Sequence, residues 1–222
     1  MKYIDPNTLF FGNYVDADIR LGDLYEFLSN LEKYLNRKKS QQDKKPKGLL
    51  GNVEYDKFAE SFPSILYNSI YISVWAFMEQ VIRGYCKAMQ KTMKLDISLS
   101  DLRGELIDRF NKYTKSMLGL KYGFEGHFIE DMKAMYEVRN CLVHNDGIVP
   151  ENKIPTIKKY VNHSKIQLIV HGRIELDKLS LENLIGSCSI FLNEIYRVAL
   201  IKFPGEYIPL RQDPTTHSKG SA

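Results

Sequence analysis

In the second half of the chain, Glu137-Val138-Arg139-Asn140-Cys141-Leu142-Val143-His144-Asn145-Asp146-Gly147 places an arginine, an asparagine and a histidine close together. An imidazole ordinarily titrates near about pH 6.5, so it can both accept and donate a proton at neutrality. A guanidinium is always charged, and its planar fork of donors fits phosphate and stabilises charge building on phosphorus. Together these groups suit cleavage of RNA, where the 2′-hydroxyl of the substrate is itself the nucleophile and no metal is required. In that scheme His144 moves the proton and Arg139 holds the phosphate, while Asn140 orients the histidine or the substrate. The expected products carry a 2′,3′-cyclic phosphate and a 5′-hydroxyl.

The element that must hold these groups is a helix. Ile129, Met132, Met135, Val138 and Leu142 recur every three or four residues, and the pattern stops at Asn145-Asp146-Gly147 ahead of Pro150. At about 100° per residue, Asn140 and His144 share a face, whereas Arg139 and His144 diverge by roughly 140°. Two copies of the pair, brought together from two helices, line one cleft more easily than a single copy does, so the spacing predicts a homodimer. A purely architectural role is the competing reading: arginine and histidine in a last helical turn satisfy carbonyls and the helix dipole.

The hexapeptide Arg139-Asn140-x-x-x-His144 resembles the Arg-Asn-x-x-x-His signature of the HEPN superfamily. The resemblance extends upstream to the apolar helix Tyr71 to Arg83 and downstream to a short hairpin and a closing helix, covering about residues 60 to 203. It implies a HEPN-like helical bundle and a metal-independent endoribonuclease of a toxin or antiviral defence system. It also implies a composite site across a homodimer, with an antitoxin or effector as a further partner. Many members carry an acid on the upstream helix near the arginine, which would make Glu79 part of the catalytic set. The chain departs from some HEPN toxins in one respect: the tyrosine they carry two positions after the histidine is Asp146 here, so regulation by modification of that tyrosine is not implied. The alternative within the same fold is a non-catalytic module that binds RNA or a nucleotide, or that only assembles.

With 222 residues, 44% hydrophobic and 26% charged, the chain can bury a sizeable core and reads as one domain, residues 1 to 203, that is mainly all-α. A net charge of +4 permits nucleic acid as a partner without arguing for it. No continuous apolar run of about 18 residues and no N-terminal signal core are evident, so a cytoplasmic protein without membrane contact is expected. Cys86, Cys141 and Cys188 each lie in an apolar helical pattern and read as reduced core thiols. The five histidines are scattered with no metal-ligand spacing, and no dinucleotide or phosphate-loop fingerprint occurs; no cofactor is expected.

In chain order, residues 1 to 15 read as an irregular arm. A helix then runs from Asp16 or Asp18 to about Arg37 on a Leu21, Leu24, Leu28, Leu31, Leu35 stripe, followed by a basic loop to residue 48. That loop could grip phosphates but has no aromatic residue for stacking bases, and a solvated loop is the simpler reading. A short helix over Val53 to Phe62 precedes a long one opened by Pro63, apolar almost all round, on which Asn68, Glu79 and Arg83 lie close to one line. Glu79 pairs either with Arg83 at i, i+4 or with Arg139 or His144. Ser98 or Ser100 opens a helix from Leu102 to about Met117, and residues 119 to 126 form a linker. Segment 146 to 164 reads as uncommitted to the core. Lys165 to Val170 and Arg173 to Leu176 alternate with period two around His171-Gly172 and predict a hairpin with a two-residue turn. Ser180 caps the last helix, whose Leu181, Leu184, Ile185, Cys188, Phe191, Leu192, Ile195 and Val198 face inward. Residues 204 to 222 are expected to be disordered.

Overall fold

The long apolar segment forms the axis of the molecule. In a computed structural model, which describes residues 6–44, 53, 55–121, 127–155, 157–158, 167–169 and 172–202, the elements in order are α1 (Pro6–Asp43), α2 (Phe62–Met93), α3 (Leu106–Lys112), α4 (His127–His144), β1 (Gln167–Ile169), β2 (Arg173–Glu175) and α5 (Lys178–Lys202). The chain is a mainly α-helical bundle with a small antiparallel hairpin before its last helix. Tyr71, Val74, Trp75, Met78, Ile82 and Met89 of α2 are fully enclosed, so α2 is the core helix that the all-round apolar pattern predicts.

The other long helices pack around it with defined senses. Tyr14 stacks on Tyr196 at 4.5 Å and Glu32 pairs with Lys178 at 2.8 Å, so α1 and α5 run antiparallel. Arg20 lies over the Phe77 ring, and Tyr85 Oη donates to the carbonyl of Ile195, which sets α2 antiparallel to α1 and parallel to α5. At one end of α4, Phe128 stacks on Phe191 of α5. At the other, the chain leaving α4 pairs with β2, a few residues from Asp177, whose charge reaches Tyr67 near the start of α2. Helices α2 and α4 are therefore antiparallel. Tyr71 Oη donates to the carbonyl of Met135 between them, and the Trp75 and Tyr136 rings meet at 5.9 Å.

Several boundaries differ from the sequence reading. Helix α1 begins at Pro6 and not at Asp16, because proline lacks the N–H that a first helical residue leaves unpaired and has a preset φ. It also continues past Arg37 to Asp43, so Arg37, Lys38 and Lys39 are helical; the rest of the expected loop from Lys45 lies outside the described residues. The short helix before Pro63 runs into α2 through a π-helical stretch, Lys57–Ser61. Pro63 has no N–H for the carbonyl four residues back, and Phe62 N–H reaches Lys57 O instead. Ser98 caps only a 3₁₀ turn, Leu99–Asp101, in which its N–H and Oγ both donate to Asp101 Oδ2. The helix proper starts at Leu106, after Gly104 at φ +114°.

Ser180 is not the cap of the last helix. Asp177 Oδ1 accepts from Ser180 N at 2.7 Å and from its Oγ at 2.6 Å, so the carboxylate closes the first turn. In the hairpin Ile169 pairs with Arg173, which leaves three connecting residues and not two; His171 lies outside the described residues. Segment 146 to 164 is partly committed to the core, since Val149 and Ile157 are buried. The expected arm before Pro6, most of the linker at residues 122–126 and the tail from residue 203 lie outside the described residues.

All three cysteines are free and buried, and the interior pushes the Cys86 and Cys188 thiols up to about 12. Among the described helices, α5 is long and apolar enough by length and composition to cross a membrane, with a mean hydropathy of 1.4 over its most apolar window. Polar residues interrupt its apolar positions, so no continuous apolar run marks it in the sequence. Ten of its residues are buried in the bundle.

Candidate functional site

Helix α4 carries the motif. Met132, Met135 and Val138 are fully buried and Ile129 nearly so, which locks the helix in rotation and fixes where its polar positions point. Arg139 and Asn140 are half-buried, and His144, the last helical residue, is exposed. The helix then stops sharply. The Cys141 carbonyl accepts from Asn145 N at 3.0 Å and from Gly147 N at 2.9 Å, while Asp146 and Gly147 both turn into the left-handed region at φ +52° and +77°.

That turn is held from below by β2. Ile174 N donates to Gly147 O at 2.8 Å, Val149 N donates to Gly172 O at 3.0 Å, and Ile148 bridges Arg173. The Arg173 guanidinium donates to the Asp146 carbonyl through Nε at 3.3 Å and Nη2 at 3.2 Å, and Nη2 also pairs with the Asp146 carboxylate. His144 thus projects from a helix end clamped on both sides of its turn. The sequence reading missed Arg173. The only signal was the short apolar run Ile148-Val149, which could have been read as a partner for the hairpin.

A second tie holds the face of α4 next to the motif. Lys153 Nζ meets Glu137 Oε1 at 2.5 Å, and Glu137 is buried, so the chain beyond Pro150 doubles back along the helix. The bond from the Glu137 carboxylate holds the Lys153 ammonium above the usual lysine range. Burial, then the Glu137 charge, push the Cys141 thiol up, against opposing effects of Lys153 and of a hydrogen bond to Asn145.

Arg139 is the unusual group. Its Nη1 donates to Asn140 Oδ1 at 3.0 Å, and its Nε is buried with no acceptor among the described residues. Four of the five donors of a guanidinium are therefore not used by any described residue, and no described carboxylate pairs with it. The nearby acids are engaged elsewhere, Glu137 by Lys153 and Asp146 by Arg173. A half-buried arginine left in this state is disposed to take an anion. Asn140 orients Arg139, whereas the sequence reading gave that amide to the histidine or the substrate. His144 has no hydrogen-bond partner among the described residues.

Glu79 stands apart from these groups. Its Oε1 accepts from Trp75 Nε1 at 3.1 Å, and none of the pairings expected for it, with Arg83, Arg139 or His144, is present among the described residues. Because α2 and α4 are antiparallel and meet at Trp75 and Tyr136, Glu79 and Arg139 lie on opposite sides of that contact. Seven residues of rise separate them, about 10 Å along the axes. Trp75 is fully buried and its indole N–H needs an acceptor, which accounts for where the carboxylate goes.

Among the described residues no group of three or more histidine, cysteine, aspartate or glutamate side chains is placed to hold a metal ion. No protein-family model, curated protein or solved structure matches the chain.

Proposed function

We propose that the chain is a metal-independent endoribonuclease of HEPN type that cleaves single-stranded RNA through attack of the 2′-hydroxyl. The observation that carries this reading is Arg139: a half-buried guanidinium with no carboxylate partner among the described residues, steadied by Asn140 and five residues ahead of an exposed histidine. Arg139 binds the scissile phosphate and stabilises the charge it gathers in the transition state. His144 takes the proton from the 2′-hydroxyl or gives one to the leaving 5′-oxygen. The turn clamped by Arg173 keeps the imidazole from wandering, and Asn140 sets the fork of Arg139.

The divergence of Arg139 and His144 around one helix favours a composite site in which each cleft draws on two copies of the chain. Val143 and Ile148, 42% and 48% exposed on either side of the histidine, give such a pairing an apolar border. The reading places the protein in the cytoplasm, in a toxin–antitoxin or antiviral defence system whose partner restrains or triggers it. Glu79, tied to Trp75, supports the core helix and is not assigned a chemical step.

The test is cleavage of end-labelled single-stranded RNA in excess EDTA by wild type, Arg139→Ala and His144→Ala, with helicity and oligomeric mass checked for each. Cyclic-phosphate ends from the wild type and none from either folded variant support the reading. RNA binding without turnover in all three would favour the non-catalytic module instead. Equal cleavage by all three removes the motif from the chemistry.

A further inference from the structure

The end of α1, where the sequence predicts a loop, is a helical surface of cations and rings. Lys38 Nζ sits 5.7 Å from the centre of the Tyr34 ring, one turn back, and Lys39 Nζ sits 5.6 Å from the Tyr55 ring, supplied by the segment ahead of α2. Arg37, which precedes them on the helix, is exposed, and none of Arg37, Lys38 and Lys39 makes an ion pair with a described residue. The helix dipole does not account for this cluster, because its pull fades within the last turn and these cations lie four to six residues before Asp43. The aromatic faces absent from the basic stretch itself are thus brought to it by helical periodicity and by tertiary packing.

The cluster also lies at the motif's end of the bundle. Glu32 pairs with Lys178 at the first residue of α5, so the remaining length of α1 runs past the start of α5 toward the side from which β2 enters. Five to seven residues beyond Glu32 is about 10 Å of helix. β2 is the strand that carries the clamp under the Asn145-Asp146-Gly147 turn.

We propose that Arg37, Lys38 and Lys39, with Tyr34 and Tyr55, form a binding surface for single-stranded RNA leading toward Arg139 and His144. Arg37 and Lys39 diverge by roughly 160° around the helix, so the cations contact phosphates of a strand that curves around its end, and bases replace the lysine ammoniums over the two rings, each lysine moving from ring to phosphate. RNA as the ligand rests on the function proposed above. An anionic membrane is the less suited partner, since both rings lie under cations.

Binding is read without cleavage, by fluorescence anisotropy on a labelled 2′-O-methyl oligouridine of about twelve nucleotides, which has no free 2′-hydroxyl and engages backbone and rings alike. For Arg37→Ala/Lys38→Ala/Lys39→Ala we expect weaker binding at low salt and a slope of log K on log salt shallower by roughly two, at about 0.7 for each phosphate that is no longer neutralised. Tyr34→Leu/Tyr55→Leu should bind about fivefold or more weakly, while Tyr34→Phe/Tyr55→Phe, which keeps both rings, binds like wild type. Unchanged affinity in either the triple alanine or the double leucine variant, each shown to be folded by its circular dichroism, overturns the proposal. So does loss of sedimentation with phosphatidylserine vesicles in the triple variant while its RNA affinity stays the same. A wild type that cuts nothing, yet binds through these residues, would overturn the nuclease and leave this surface standing; the reverse result would do the opposite.

Discussion

The tie between Glu137 and Lys153 can be broken from either side, and burial predicts that the two sides are not equivalent. The Glu137 side chain is 10% exposed and that of Lys153 is 37%. Lys153→Met keeps most of the aliphatic stem but strands a carboxylate in the interior. Breaking a buried pair this way costs about 3–5 kcal/mol, and partial access of water to this site brings that to about 2–3 kcal/mol. Glu137→Gln leaves an amide that can still accept from Lys153, and the ammonium, if released, turns to solvent. That change should cost about 1 kcal/mol.

For a chain of this size each kcal/mol shifts the thermal midpoint by roughly 2–4 °C, so Lys153→Met should lower it by about 5–10 °C and Glu137→Gln by about 2–4 °C. The double variant, which removes the stranded charge, should resemble Glu137→Gln alone, with a coupling of about 2–3 kcal/mol from urea unfolding. If Glu137→Gln proves as costly as Lys153→Met, or the double variant is worse than both singles, the carboxylate is not the buried partner and the argument fails.

Two further outcomes follow from the same geometry. Gly147→Ala should destabilise the chain by about 1–2 kcal/mol in urea unfolding, because φ is +77°, while the added Cβ would meet Leu142 Cδ2 at an ordinary contact distance of 3.7 Å; an unchanged midpoint would show that the turn can relax. The buried thiols make stability fall with alkaline pH. Cys86 and Cys188 titrate near about 12 in the folded chain against 9.0 ordinarily, so the unfolded chain loses its protons first and stability drops as pH rises from about 9 toward 12. Lys153, also raised, adds a loss in the same direction above its ordinary 10.5. Unfolding midpoints taken at intervals of pH should show this decline, and iodoacetamide at pH 8 should leave the native thiols unmodified; ready alkylation would contradict their burial.

How much of this could be read from the sequence depends on the range of the forces involved. Apolar stripes report directly on burial: Leu21, Leu28 and Leu35 of α1, the α4 stripe up to Val138, and all eight inward positions expected in α5 are enclosed. Helix ends are harder, because they turn on single competing bonds. Asp177 outcompetes Ser180 as the cap, and Pro63 alters the hydrogen-bonding pattern without ending the helix. Polar partnerships were the least legible. Glu79 had an arginine one turn ahead and, by resemblance, another across the bundle, but a buried indole one turn behind it needed an acceptor, and leaving that N–H unmet would have cost more than an exposed Arg83 gains from a surface pair.

The same competition shapes the motif. Sequence shows four groups that are charged or titrate near neutral pH within ten residues, Glu137, Arg139, His144 and Asp146, and leaves open that they neutralise one another. The fold prevents this by importing a lysine from beyond Pro150 for Glu137 and an arginine from β2 for Asp146. Arg139 is left with a single neutral amide partner among the described residues. A site for a phosphate needs a cation that its own neighbours have not satisfied, and here tertiary structure draws the neighbouring carboxylates to other partners.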